Sequence, residues 1–327
     1  MLGTVVVLLV LTWVILIRIP SGKYLQLVDT AHPVAPLVQV QGARPAESGT
    51  LYFVDVTEQK ASEFDVLFPW LHPHSSLKPA ANFVPPCSTA AEAEAVALEE
   101  MATSQKIAAV VALRHLGYHV DVRPAKVIVS YTYPKTNASC NLQPTDVLLS
   151  ANGIPTPTVT ALHSALGRLK PGDVVNLRVR RGTKTMTVPI RTVPTPGDPT
   201  RPFIGIAADQ TLKIKLPIKV TIDASGIGGP SAGLAFALEV MQQLGHNVLH
   251  GHKVAATGEI FLNGAVGSIG GIKQKTYGVR QAGADVFLVP AGQNARDARK
   301  YAGPLRIIPV RTFDQALHAL ATLPRKP

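Results

Sequence analysis

Ser231 lies in the run Gly228-Gly229-Pro230-Ser231-Ala232-Gly233, and Lys275 closes the run Gly270-Gly271-Ile272-Lys273-Gln274-Lys275. A serine hydroxyl attacks a carbonyl carbon well only when a base takes its proton, and a lysine serves as that base if desolvation holds it neutral. The glycine pair and Pro230 place the serine at the opening turn of a helix, because LAFALEVMQQL after Gly233 carries apolar residues at helical spacing up to Gly245. Backbone N–H groups at such a turn lack partners within the helix and can hold the oxyanion of a tetrahedral intermediate. Gly229, Pro230 and Ala232 are therefore candidates for the oxyanion site.

Burial of the lysine is what the chemistry requires. Residues 272–282 read as a helix ending at Gly283, and Ile272, Lys275, Val279 and Ala282 recur on one apolar face. Lys273 points about 200° away from Lys275, at roughly 100° per residue, beside Tyr277, Arg280 and Gln281. The spacing thus predicts a buried Lys275 and a solvated Lys273.

The ordered set GPSAG around Ser231, Thr257-Gly258-Glu259-Ile260, Asn263-Gly264, Val266-Gly267, IGGIKQK and FLVP ending in Pro290 resembles the proteolytic domain of the Lon family over residues 202–323. The resemblance implies Ser231 as nucleophile, Lys275 as general base and Thr257 as the residue orienting the lysine amine. Thr257 taken alone needs no such role, since a β-branched residue suits the strand Val254–Thr257. One position departs: many Lon enzymes have an acidic residue three positions before the serine, where this chain has Gly228. The resemblance also implies a homo-oligomer.

Residues 121–193 resemble a PDZ domain of the bacterial protease type: a strand at Val127-Ile128-Val129, Gln143-Pro144-Thr145-Asp146 with threonine replacing the usual glycine, a short helix over 159–169, and strands flanking Arg181-Gly182. Such a fold implies a sheet edge beside a helix, where an extended peptide adds as a strand. Pro194, Pro196, Pro199 and Pro202 mark a linker. The fold class expected is α+β: an N-terminal transmembrane helix, a PDZ-like β-rich module and a C-terminal Lon-type proteolytic domain.

The first 17 residues are uncharged, the short limit for a membrane helix, so residues 1–19 are expected to be an anchor. A signal peptide fits less well, with no basic start before the apolar run and no small-x-small site after it. Arg18 and Lys23 alone would keep the body in the cytoplasm, whereas resemblance to membrane-anchored Lon-like proteases with a PDZ domain implies a single-pass protein with an extracytoplasmic catalytic body.

Residues 20–120 read as strands near 38–40 and 51–56 around a Glu47-Ser48-Gly49 turn, then a helix over 88–115 with Ser88 as cap. His72-Pro73-His74 reads as a solvated loop, and no metal site is expected. The net charge of +11 on 327 residues raises the possibility of nucleic acid, but no aromatic-interleaved basic motif accompanies it, and a basic surface facing anionic lipid is expected. No GxxxxGK[ST] occurs, so hydrolysis of protein or peptide substrates without ATP or any cofactor is expected. A non-catalytic PDZ scaffold and a basic nucleic-acid-binding protein are the alternatives. Cys87 and Cys140 are either a disulfide or two unrelated core residues.

Overall fold

The computed structural model describes residues 2–46, 48–85 and 87–326. The chain forms two compact units: residues 1–80, 104–119 and 216–327 make the first, and residues 81–103 and 120–215 the second. The second unit is thus inserted within the first.

The first unit is organised by a five-stranded sheet. Its order is His32–Pro33, Thr50–Phe53, Lys253–Ala256, Val286–Pro290, Arg306–Val310, parallel except at the first pair. Parallel strands buried on both faces read as continuous apolar runs, and Val286–Pro290 is buried at every position. Phe287 and Val289 pack with Ala255, Val54, Ile272, Val279, Ala295 and Ala298 in one core cluster. A three-stranded antiparallel sheet, Val56–Ser62, Pro20–Val28 and Ser76–Pro79, lies in the same unit.

In the second unit the sheet order is Lys184–Arg191, Val174–Arg181, Val147–Ala151, Asp121–Thr132, Ile206–Lys215, covered by the helix Val159–Leu166. The edge strand Ile206–Lys215 pairs with Asp121–Thr132, so this unit continues past the expected boundary at 193. The expected linker is itself a hairpin, Val193–Thr195 with Asp198–Phe203. Thr145, standing where a glycine was expected, adopts φ +72° and donates its N–H to the Val129 carbonyl at 2.7 Å. Asp146 beside it is buried and paired with Arg181 at 2.7 Å.

Three expectations need correction. The segment 1–19 is helical over Leu2–Arg18. No described helix is long and apolar enough to cross a membrane. The helix Ala90–His115 is capped by Thr89, not Ser88: Thr89 N–H donates to Glu92 at 2.7 Å and Glu92 N–H to Thr89 Oγ1 at 3.1 Å, a reciprocal box that needs an acid three residues on. In the 72–74 loop, His72 reaches Asp65 at 2.9 Å and His74 stacks on Tyr277, so both rings have protein partners. Glu47 of the expected turn lies outside the described residues.

Cys87 and Cys140 form a disulfide across 53 positions, which joins the lead-in to the long helix to the loop before Leu142 in the second unit. Closing a loop of that length stabilises the fold by about 4 kcal/mol through the unfolded chain. Reduction, or replacement of both cysteines by serine, is expected to lower the unfolding free energy of this unit by about that amount in urea titration.

Candidate active site

The serine segment is built as a tight entry into a helix. Gly229 takes φ +82°, Pro230–Ala232 make one 3-10 turn, and Gly233–Gln243 continue as an α-helix buried along most of its length. Gly233 admits close neighbours: a Cβ there would lie 2.6 Å from Ser104 Oγ and 2.7 Å from Ile260 Cγ2. Ser104 donates its hydroxyl to the Pro230 carbonyl at 3.0 Å, which holds the turn from the long helix. Pro230 has no N–H, and its carbonyl is occupied, so it shapes the turn without donating to an oxyanion. Gly233 N–H is taken by the Pro230 carbonyl and Leu234 N–H by Gly258 at 3.1 Å, which leaves Ser231 and Ala232 as the first-turn donors.

The lysine helix spans Ile272–Gln281 after Gly271. Its packing is close, since a Cβ at Gly278 would overlap the Asp29 carbonyl. Lys275 is 3% exposed, while Ser231 is half-buried at the open end of the contact. Lys275 Nζ lies 2.6 Å from Ser231 Oγ. As an ammonium it donates to that oxygen; as a neutral amine it accepts the serine proton across the same contact. Thr257, fully buried, donates its hydroxyl to the Ser231 carbonyl at 3.1 Å and so offers Lys275 its lone pairs, 3.5 Å away. Gly258 N–H donates to the same Ser231 carbonyl at 2.7 Å.

Burial lowers the Lys275 pKa from 10.5 to about 8, against the opposing pull of the Asp55 and Glu58 carboxylates. Burial and the Asp29 carboxylate raise the pKa of Asp55, whose Oδ1 is shielded without a hydrogen-bond partner. Sequence reading missed Asp55, Glu58 and Ser104, which approach the site only through tertiary packing and carry no local motif. Lys273 is not simply solvated: its Nζ donates to the Ser75 carbonyl at 2.9 Å, and the neighbouring Gln274 is buried against residues 74–76. Asp29, His32 and Asp55 bring one atom each within 4.8 Å of one another, the one such cluster among the described residues. Asp29 already accepts from Thr30 N–H and from Thr57 Oγ1 on the strand Val56–Ser62.

A half-buried serine in contact with a desolvated lysine is the arrangement of a serine peptidase, and the comparisons with known proteins name its type. Residues 202–322 match the Lon protease (S16) C-terminal proteolytic domain, and residues 115–192 match the PDZ domain. The chain therefore carries a Lon-type serine peptidase domain together with a PDZ domain. Lon protease 2 of Bacillus subtilis is 34% identical over 117 residues, covering 36% of this chain and 20% of that protein. Lon protease 2 of Herpetosiphon aurantiacus is 35% identical over 118 residues, covering 35% of this chain and 14% of its own length. The chain thus spans about a fifth or less of these relatives. The PDZ domain of the SdrC-like protein of Listeria monocytogenes aligns at 21% identity over 27% of this chain and 92% of that one, with a TM-score of 0.25.

The folded-state pKa of Lys275 lies below its unfolded value, so the buried ammonium destabilises the fold below about pH 8, and the cost fades as pH rises towards 10.5. At about 1.4 kcal/mol per unit this cost is roughly 3 kcal/mol at neutral pH. Lys275→Met is expected to raise the unfolding free energy near neutral pH by about 1–3 kcal/mol. That gain should shrink towards zero in titrations carried out above the unfolded pKa.

Proposed function

We propose that the protein is an ATP-independent serine endopeptidase that works through a Ser231–Lys275 dyad, with its PDZ domain selecting protein substrates. The observation that carries this reading is the 2.6 Å contact between the Ser231 hydroxyl and a buried lysine whose pKa has fallen to about 8. Neutral Lys275 takes the serine proton as Oγ attacks the scissile carbonyl. The N–H groups of Ser231 and Ala232 face the developing oxyanion. The lysine ammonium then protonates the leaving amine, and the regenerated base activates water to release the acyl group. Thr257 orients the amine through the ladder described above.

Ser231→Ala and Lys275→Ala are each expected to lower kcat/KM for peptides by about a thousandfold or more, whereas Lys273→Ala keeps most activity. Activity should rise with pH as Lys275 deprotonates near pH 8. Because the Asp55 carboxylate raises the lysine pKa, Asp55→Asn should move that rise to lower pH. A profile that stays in place in Asp55→Asn, or equal activity in Lys275→Ala, would count against the dyad. A scaffold without chemistry would leave Ser231 unlabelled by a serine-directed acylating probe.

For the PDZ domain, the supporting feature is a groove of about 260 Å³ between the helix Val159–Leu166 and the edge strand Ile206–Lys215. Leu162, Leu166, Ile204 and Ile206 give it apolar walls, and exposed His163 and Arg201 stand at its margin. A peptide added to the strand edge would lay alternate side chains into those walls. Filling the groove by His163→Trp is expected to lower kcat/KM roughly tenfold for protein substrates while short peptides change little. Parallel losses for both substrate kinds would refute selection by this groove.

The same reading has the protein at the cell membrane through residues 1–19, with the catalytic body outside the cytoplasm and several copies assembled together. The Cys87–Cys140 bridge supports an oxidising compartment, and exposed Leu11, Trp13, Ile15 and Ile17 support a lipid contact. Vesicle flotation, protease accessibility in intact cells and sedimentation test these three points.

A further inference from the structure

We propose that residues 63–71, Glu63-Phe64-Asp65-Val66-Leu67-Phe68-Pro69-Trp70-Leu71, form a second lipid-contact element that enters the interfacial layer of an anionic membrane beside the first helix. This rests on the membrane association proposed above and adds an element outside residues 1–19.

The segment is unusual in what it exposes. Ser62 and Asp65 cap the short helix Glu63–Leu67 reciprocally, and Pro69–Leu71 continue as a 3-10 turn. So firm a local fold turns outward side chains that ordinarily drive burial: Leu67 is 53% exposed, Trp70 68% and Leu71 52%. The patch is continuous with the first helix through a ladder of rings. Trp13 meets Phe64 edge-on at 6.2 Å, Phe64 lies 4.7 Å from Phe68, and Phe68 meets Trp70 edge-on at 5.2 Å. Leu11, Trp13, Val14, Ile15 and Ile17 on the helix that begins this ladder, and Ile19 just after it, are exposed.

The occupant follows from charge and from ring chemistry. Exposed Arg18 closes the apolar helix, and exposed Lys23, Lys60 and Lys78 lie on the antiparallel sheet that follows. Lys60 and Lys78 both stand opposite Tyr24, so one row of that sheet carries two cations flanking an aromatic ring. An apolar, tryptophan-bearing patch next to lysine and arginine is the composition that settles at a bilayer interface, with rings at the level of the headgroups and cations towards anionic lipid.

The chain has two tryptophans, so Trp13→Phe leaves Trp70 as the only indole reporter in the full-length protein. Vesicles of phosphatidylcholine and phosphatidylglycerol, with and without lipid brominated in the upper acyl chain, supply the test. The expected result is a shift of Trp70 emission to shorter wavelength on binding, quenching by brominated lipid, and loss of quenching by aqueous iodide. Trp70→Ser with Leu71→Ser should weaken vesicle binding about tenfold with peptidase activity unchanged. Flotation of the protein with Trp70 still open to iodide would overturn this element and leave anchoring by the first helix intact. Failure to float at all would overturn both. An emission shift that follows protein concentration without lipid would assign the patch to a second copy of this chain and overturn the lipid contact.

Discussion

Keeping one ammonium group dry is the constraint on which the rest of this site depends. A lysine in water stays protonated at neutral pH and cannot accept a serine proton. Lys275 is 3% exposed because three elements close on its helix: the strand ending at Ala256, the loop whose Asp29 carbonyl lies against Gly278, and the 74–76 segment that covers Gln274. The burial that would make Lys275 a useful base in the mechanism proposed above also opposes folding, and the surrounding apolar core offsets a cost of roughly 3 kcal/mol. Ser231 sits at the edge of this dry region, where a substrate carbonyl can reach it while its partner stays shielded.

Asp55 and Glu58 restrain that shift. Without them burial would push the lysine pKa below about 8. The carboxylates acting on the lysine come from the segment after Thr50–Phe53. A carboxylate with a shielded, unbonded oxygen is costly to ionise, and its elevated pKa expresses that cost.

What the sequence made legible was local. The period of Ile272, Lys275 and Val279 placed the lysine on the buried face, and the glycine-proline entry placed Ser231 at a helix start, because both depend on neighbours within a turn or two. The same reasoning gave Lys273 to solvent and missed the Ser75 carbonyl, since the strip that covers that face lies far earlier in the chain. Ser88 and Thr89 are equally good caps by type, and only the reach to Glu92 decides between them. The compact unit runs on past the PDZ match, which ends at 192: the strand after the proline-rich hairpin pairs with Asp121–Thr132, a pairing that cannot be read from its own residues. The cysteines were ambiguous until the fold brought 87 and 140 into one unit.

These pairings change what counts as the catalytic unit. The family match begins at 202, yet the strand Lys253–Ala256 pairs in parallel with Thr50–Phe53, which precedes the inserted unit, and Ser104 holds Pro230 from a helix that also lies outside the matched residues. A fragment limited to the matched residues would expose a central strand edge, lose the Ser104 bond to the nucleophile turn, and leave Lys275 without Asp55 and Glu58. The insertion therefore works as a closure constraint: the first unit cannot complete its sheet until the chain beyond residue 215 returns to strands made before residue 80. Because those contacts are far apart in sequence, they carry a large loop-closure entropy, which the sheet and core of the first unit must offset.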